Sequence, residues 1–411
     1  MGYSLQPSMS LRKEEIMAWW ENDRVTQRKK LIMEWLSGDF TVTELARRHD
    51  ISRQKVYKWI ERYDALGPEG LQDRSHRPHH CPHATPDFVI DEAVRIRLSR
   101  RVPVGADKVR TLLRTAHPDW PIPTKQTLHN HFVRLGLVAK PKRRRRSEHP
   151  GRPNSEMDAP NRIWSVDFKG DFKMRNGVRC YPLTIQDGFS RYLLACQGLP
   201  GTRFVDTKRV FTRVFQEFGL PERIRSDNGV PFSSAHSLAR LSQLSVWWIT
   251  LGVLPELIEP ASPHQNGRHE RMHRDLKAET TIPPAGNQSA QQRRFNEFVT
   301  YYNDVRPHEA HNQVPPAALY QPSPRPFPTK IPPLEYPAHF DVRKVSSNGG
   351  IRWRSRWINV SQLLGGHFIG LEEISPDVWA VFFGPLRLGW LHLDKGAIID
   401  HDGSSSRNPR L

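Results

Sequence analysis

Ile163-Trp164-Ser165-Val166-Asp167-Phe168 is a short, mostly apolar run with a carboxylate near its end. Its length and its Ile, Val and aromatic content read as a buried strand. An unpartnered carboxylate there would be costly to desolvate, and bound cations would remove that cost. Two other acids sit in contexts that could bring them to the same place. Asp227 follows Glu222-Arg223-Ile224-Arg225-Ser226 and precedes Asn228-Gly229, which reads as a strand ending in a tight turn that presents a carboxylate to a cleft. Glu270 comes just after Pro263-His264-Gln265-Asn266-Gly267, a loop that gives way to a helical stretch from Arg268 to Thr280. Three distant segments can therefore meet at one metal site.

These acids lie in a strongly basic chain. The 411 residues carry a formal net charge of +18 and have the length for two or three domains. Excess Lys and Arg releases counterions condensed on a phosphate backbone, so nucleic acid is the expected partner and an acidic membrane surface the rival. Residues 1–150 hold 29 Lys and Arg against 18 Asp and Glu, or +11, which concentrates DNA recognition in the amino-terminal part. Three cysteines, Cys81, Cys180 and Cys196, are too few and too scattered for a disulfide framework and imply a reducing compartment. Without a signal-peptide-like start or a run of ~20 apolar residues, a soluble, cytoplasmic and nucleoid-associated bacterial protein without membrane contact is expected. Carboxylates that gather cations inside a polymer-binding chain suggest an enzyme that cuts or joins nucleic acid.

Working outward, residues 27–63 alternate helical periodicity with breakers and read as a helix-turn-helix. Small Ala46 lets the second helix approach closely and Ser52 caps the third, whose exposed face would present Arg53, Gln54, Lys55, Tyr57 and Lys58 to DNA. An ordinary three-helix bundle is the plainer reading. A second such unit spans residues 87–137, with Thr124 capping Lys125 to Leu135 and Lys125 as a further DNA contact. Lys140 to Arg146 is a basic run inside a linker. From Ile163 to about Pro315 strands and helices alternate. A hairpin turns at Asn176-Gly177, a third strand covers Ser190–Gln197, and helices cover Phe204–Phe218 and Ser234–Leu251. Nine prolines between Pro315 and Pro337 mark an extended linker. Residues 339–400 alternate in strand fashion, and within Ile351 to Trp357 a continuous strand would put Arg352, Arg354 and Arg356 on a phosphate-facing side, with Ile351, Trp353 and Trp357 packed behind. The boundaries read as helix-turn-helix 1–80, second helix-turn-helix 81–140, basic linker 141–160, α/β core 161–320, Pro-rich linker 321–338 and small β-barrel 339–403.

Three carboxylates can hold two Mg²⁺ ions, with Mn²⁺ as a substitute, which activate an attacking oxygen and stabilise the leaving oxygen of an in-line phosphoryl displacement. Glu270, Arg274 and Lys277 fall at i, i+4 and i+7, so phosphate-binding cations would lie beside the metal ligand. Trp164-Ser165-Val166-Asp167, Ser226-Asp227-Asn228-Gly229, Pro263 through Glu270, and Tyr302-Asn303-Asp304-Val305-Arg306-Pro307-His308 together resemble the catalytic core of the retroviral-integrase-type DDE transposases of bacterial insertion sequences. The resemblance covers residues 160 to 320, and the flanking parts are similar too. It implies a multidomain chain with tandem all-α helix-turn-helix units, an α/β RNase H-like catalytic core and a small carboxy-terminal all-β barrel. It also implies catalytic and metal-binding roles for Asp167, Asp227 and Glu270, with Asp167 bridging both ions. The activity implied is cleavage at terminal inverted repeats and strand transfer into target DNA by a homo-oligomer on paired ends. Forty-two residues separate Asp227 from Glu270, longer than is usual in the group, and the apolar stretch Leu244 to Leu254 most simply extends a helix there.

Other readings compete. A DNA-binding regulator, or a decayed and inactive transposase, would keep the helix-turn-helix units without the chemistry. His269-Glu270-Arg271-Met272-His273 also fits the zinc metallopeptidase pattern, although its charged neighbours suit a buried metal helix poorly. His79, His80, Cys81 and His83 form another metal-ligand cluster by composition, in a Pro-rich stretch that reads as solvated linker. Asp171 reads as an exposed strand position, and Asp187 as a turn residue bonding its own backbone.

Overall fold

The computed structural model describes residues 23–74, 84–138, 155–235, 237–258, 267–401, 403 and 405. Lys140 to Arg146, the cluster from His79 to His83 and the loop from Pro263 to Asn266 lie outside these residues. The chain divides into two compact units, Met1–Ala84 and Thr85–Leu411.

In the first unit, helices α1 (Arg24–Leu36), α2 (Val42–Arg48) and α3 (Arg53–Leu66) enclose a core of Leu31, Ile32, Leu45, Ala46, Val56 and Ile60. Glu44 and Thr41 close a reciprocal capping box at the start of α2, and Ser52 accepts a hydrogen bond from the Lys55 amide at the start of α3. Val56 and Ile60, one turn apart, take the inner face of α3. Arg53, Gln54, Lys55, Tyr57 and Lys58 are consequently all exposed.

The second unit begins with α4 (Asp87–Leu98), α5 (Ala106–Ala116) and α6 (Lys125–Arg134), packed about Val89, Ala93, Val109, Leu113, Leu128 and Phe132. Thr124 caps α6 as expected, and the exposed Lys125 stands 3.6 Å from Asp107. A mixed sheet follows, made of β1 (Ile163–Phe168), β2 (Phe172–Lys173), β3 (Arg179–Asp187), β4 (Leu193–Leu199), β5 (Arg223–Ser226) and β6 (Leu254–Leu257). Its main order is β4-β3-β1-β5-β6, antiparallel from β4 to β1 and parallel from β1 to β6, with short β2 on the edge of β3. Helices α7 (Phe204–Phe218) and α8 (Gln243–Thr250) make the crossovers that the parallel strands require. Three antiparallel strands continued by two parallel ones are the mixed α/β, RNase H-like arrangement expected of this segment.

Strand alternation divides the sheet chemically. Trp164 and Val166 of β1, with Leu183 and Ile185 of β3, meet Phe211, Phe215 and Trp248 in the largest apolar core. Asp167, Thr184 and Gln186 fall on the other face, over which run α9 (Gly267–Thr280) and α10 (Gln288–Thr300). Two expectations fail around α8. No helix runs from Ser234 to Leu251; a short 3₁₀ turn at Leu238–Arg240, with Ala239 in the left-handed region, precedes α8. Nor does the apolar stretch after Leu244 extend a helix, because α8 ends at Thr250 and Leu254–Leu257 pairs with β5 as a strand. Hydrophobicity alone could not separate these two states.

The carboxy-terminal part holds β7 (Asp341–Lys344), the hairpin β8 (Gly350–Trp353) and β9 (Arg356–Asn359), then β10 (Phe368–Ser375), β11 (Val378–Phe383), β12 (Leu386–His392) and β13 (Ala397–Ile399). The antiparallel sheet runs β13-β12-β11-β10-β7, and it shares one core with the separate β8-β9 hairpin. That hairpin corrects the reading of Ile351 to Trp357 as one strand. Arg354 and Ser355, at φ 43° and 64°, form the turn, so alternation does not continue across it. Trp357 is 54% exposed rather than packed, Arg354 lies over the Trp379 ring, and Arg356 donates to the Leu393 carbonyl. The three arginines do not share one strand face, although all are exposed.

The proline-rich segment after Pro315 is a fastened strap rather than a free spacer. Arg325 donates to the carbonyls of Pro221, Leu251 and Gly252 at 2.9, 3.3 and 2.8 Å, and the Ser323 hydroxyl donates to the Leu220 carbonyl at 2.6 Å. Phe327 packs against the main core. Arg325→Ala is therefore expected to lower the core's stability by about 2 kcal/mol and to speed protease cutting within residues 321–338. Unchanged denaturant midpoint and unchanged cutting would show that the strap is not held by these bonds.

Candidate active site

Asp167, near the end of β1, stands beside the first turn of α9. Burial, with the neighbouring Asp227 and Glu270 carboxylates, holds its carboxyl up at about 7, against the opposing pull of Lys169 and the Phe168 amide. Asp227 immediately follows β5, the strand parallel to β1, and accepts a hydrogen bond from the Gly229 amide at 3.1 Å in the expected tight turn. A side chain at Gly229 would press on that carboxylate, its Cβ only 3.1 Å from Asp227 Oδ2. Glu270 is exposed in the first turn of α9. The three acids of the sequence reading thus converge closely enough that two of them raise the third. Among the described residues no three His, Cys, Asp or Glu side chains close to coordination range. The donor set nonetheless suits Mg²⁺: it is all carboxylate oxygen, and a divalent cation would offset both the burial and the neighbouring negative charges that raise Asp167.

Beneath Asp167 lies a polar clasp that the sequence reading missed. Thr184, paired with Asp167 across the β1-β3 ladder, is fully buried, as is His269, and His273 is nearly so. Thr184 Oγ1 is 2.6 Å from Nε2 of His269, 2.6 Å from Nε2 of His273 and 3.0 Å from the Asp167 carbonyl oxygen. A hydroxyl donates one hydrogen and accepts two, and the carbonyl can only accept. The consistent assignment has Thr184 donating to Asp167 and both imidazoles donating to Thr184 from Nε2. Burial keeps both rings neutral, pushing His269 down to about 3 and His273 lower still. His273 then turns a bare Nδ1 toward Asp167 Oδ2, 3.5 Å away. Spacing was the available signal: histidines four apart share a helix face, and a polar residue facing them had to exist on the sheet.

The same clasp accounts for the His269-to-His273 pattern without zinc, because both Nε2 atoms are spent on Thr184. Arg274 and Lys277, on the Glu270 side of α9, are exposed; Arg274 lies 3.6 Å from Asp275. Asp187 bonds the local backbone as read, accepting from the Ser190 amide and hydroxyl, but it is the buried last residue of β3 and also accepts from the distant Asn161 amide; Asp171 pairs with Arg179. Cys180 and Cys196 are free and buried. Among the described residues no helix is long and apolar enough to cross a membrane. Thr184→Val keeps the shape and removes the shared hydroxyl, stranding two buried imidazole donors, and should destabilise the core by roughly 2 to 4 kcal/mol in denaturant titrations. A variant as stable as the wild type would show that the clasp bears no load.

Family comparisons agree with this architecture. A helix-turn-helix domain model matches residues 27–79, and two integrase core domain models match residues 157–263 and 251–316. Over 302 residues the chain is 28% identical to the insertion element IS476 39.2 kDa protein of Xanthomonas euvesicatoria, covering 69% of this chain and 79% of that one. It is also 28% identical over 201 residues to the insertion element IS407 31.7 kDa protein of Burkholderia multivorans, covering 46% and 68% respectively. Among solved structures, the integrase of a simian T-cell lymphotropic virus intasome aligns with 69% of this chain and 92% of its own at 13% identity and a TM-score of 0.34. The HTLV-2 integrase catalytic core, in complex with magnesium, aligns with 40% and 98% at 14% identity and a TM-score of 0.30.

Proposed function

We propose, from the premise that the chain carries a helix-turn-helix domain followed by an integrase core domain and is related to proteins of bacterial insertion elements, that it is a transposase. On this reading it binds terminal inverted repeats of double-stranded DNA, cleaves there, and joins the ends to target DNA. The observation that carries the proposal is the placing of one carboxylate on each of three neighbouring elements, Asp167 near the end of β1, Asp227 just after the parallel β5 and Glu270 in the first turn of α9, near enough for the last two to act on the buried first. A structural acid has no use for two acidic neighbours; a cation-binding acid does.

Asp167, Asp227 and Glu270 would hold the Mg²⁺ ions, which supply activation of the attacking oxygen and charge stabilisation at the leaving oxygen. The chain's own residues do the rest. Thr184, His269 and His273 fix Asp167 and the first turns of α9 against the sheet. Arg274 and Lys277 reach the DNA phosphates on the Glu270 side. Arg53, Gln54, Lys55, Tyr57 and Lys58 enter a groove, with Lys125, Arg352, Arg354 and Arg356 as backbone contacts. Two copies on paired ends, in the cytoplasm and along the nucleoid, complete the proposal.

Asp227→Asn should cut strand-transfer product from labelled ends that flank the gene by on the order of a thousandfold, while end binding persists. Binding without product from the wild type as well would instead indicate a regulator or an inactive copy. Below about 7 a cation must displace the Asp167 proton, so Mg²⁺ affinity followed by calorimetry should rise as pH is raised through about 7. Asp167→Asn should abolish that rise, and a wild-type affinity independent of pH would refute the assignment.

A further inference from the structure

The motif from Tyr302 to His308 has no part in the chemistry above, yet three of its residues line one cavity. An open cavity of about 330 Å³ lies between α5, the β3-β4 turn, α9 and the segment after α10. Its charged lining is Lys108, Arg191, Arg271 and Arg306 against Glu309 alone. Arg306 is already paired with the buried Asp275 and lies over the Tyr302 ring. Lys108 has no carboxylate within ion-pair distance among the described residues, and its surroundings are hostile to its charge. Burial, then Arg306 and Arg271, press its ammonium down to about 8, while Asp275 and Glu309 only partly oppose them. His308, 5% exposed, also lines the cavity, and its Nε2 is buried without a hydrogen-bond partner. A buried imidazole nitrogen without a partner, whether donor or acceptor by tautomer, is uncommon in folded proteins and suits a site that holds a polar guest.

We propose that this cavity is a phosphate-binding site, distinct from the carboxylate cluster, that grips a backbone phosphodiester of the DNA between Lys108 and Arg271, with His308 as a neutral donor. A dianion or monoanion answers each oddity at once: it neutralises Lys108, offsets the crowding of guanidinium groups, and accepts from the stranded imidazole. A water occupies ~30 Å³, so the volume admits a phosphodiester with several waters. Position favours DNA over a free phosphate compound as the source. Arg271 is adjacent to Glu270 in α9, and Lys108 comes from a helix of the 87–137 unit, which docks on the core through Arg100 and Glu279 and through Gln313 and Asp107. A duplex crossing from that unit to the active site would pass this point. The inference rests on the DNA-processing reading, but its test needs no strand transfer.

Full-length wild type, Lys108→Met, Lys108→Arg and Arg271→Gln would be titrated with labelled end DNA over a range of salt. Removing one phosphate contact should reduce the slope of log affinity against log salt by about 1, with an affinity loss of roughly eightfold near ~0.1 M salt. Lys108→Met and Arg271→Gln should both show this, and Lys108→Arg should not; Arg271 is exposed, so its variant tests the site even if Lys108→Met fails to fold. In parallel, inorganic phosphate should raise the melting temperature of wild type and not of Arg271→Gln. Unchanged slopes in folded variants overturn the proposal, and thermal stabilisation by phosphate with unchanged slopes would assign the cavity to a free phosphate compound. A wild type that binds ends with the expected slopes but joins nothing would sink the transposase reading and leave this site standing.

Discussion

One hydroxyl sets the geometry on which the candidate site depends. Thr184 Oγ1 receives both imidazoles of α9 and donates to the carbonyl of Asp167, so the helix bearing Glu270 and the strand bearing Asp167 are registered on the same atom. Apolar packing could not do this as well. Hydrophobic contact tolerates a helix sliding or rotating by small amounts, whereas buried donors that lose their only acceptor cost one to a few kcal/mol each. The Met272 and Leu276 contacts to Phe295 and Phe298 supply adhesion on the flank of α9. The clasp supplies register, and Gln186, donating to the Tyr302 hydroxyl at 3.1 Å, extends the polar layer to the segment after α10.

This division of labour explains why the two sheet faces differ. The face toward α7 and α8 is filled with aromatic and aliphatic side chains and stabilises the fold. The opposite face gives up apolar area to a layer of Asp167, Thr184, Gln186, two histidines and a tyrosine. Such a layer is tolerable because nearly every polar atom in it is paired; the exceptions are His269 Nδ1 beside the clasp and His308 Nε2 at the cavity. Asp167 is left in this layer with an electrostatic problem, which the proposed cations would relieve.

How much of this was legible in the sequence follows from the range of each interaction. Ser52 and Thr124 act within one helical turn, so these caps and helix starts could be read directly. The β1 carboxylate was legible because a buried strand with an Asp is a local contradiction. The 234–251 region was not: Leu244 to Leu254 is apolar whether helical or extended, and only pairing with β5 decides. Arg354-Ser355 turns the chain without Gly, Asn or Pro, so nothing in composition marked the break. Thr184 was invisible for a different reason. It lies 85 residues from His269, and a threonine in a strand is ordinary until its partner is known.

The segment from Tyr302 to His308 shows why a motif can outlast any single role. Asn303 exchanges hydrogen bonds with the Leu193 backbone at 2.8 and 3.0 Å, stitching the segment to β4. Tyr302 stacks edge-on with His308 and accepts from Gln186, while Arg306 pairs with Asp275 of α9. Each contact reaches a different element, so the segment ties β3, β4 and α9 together behind the site. A structural staple of this kind would be content with any satisfied donors. It does not require Lys108 and Arg271 to be set around open space beside the Arg306–Asp275 pair, because like charges gathered with too few counter-ions cost stability in proportion to their burial. Stapling alone thus leaves the cationic cavity unexplained, and an anion held there accounts for the excess.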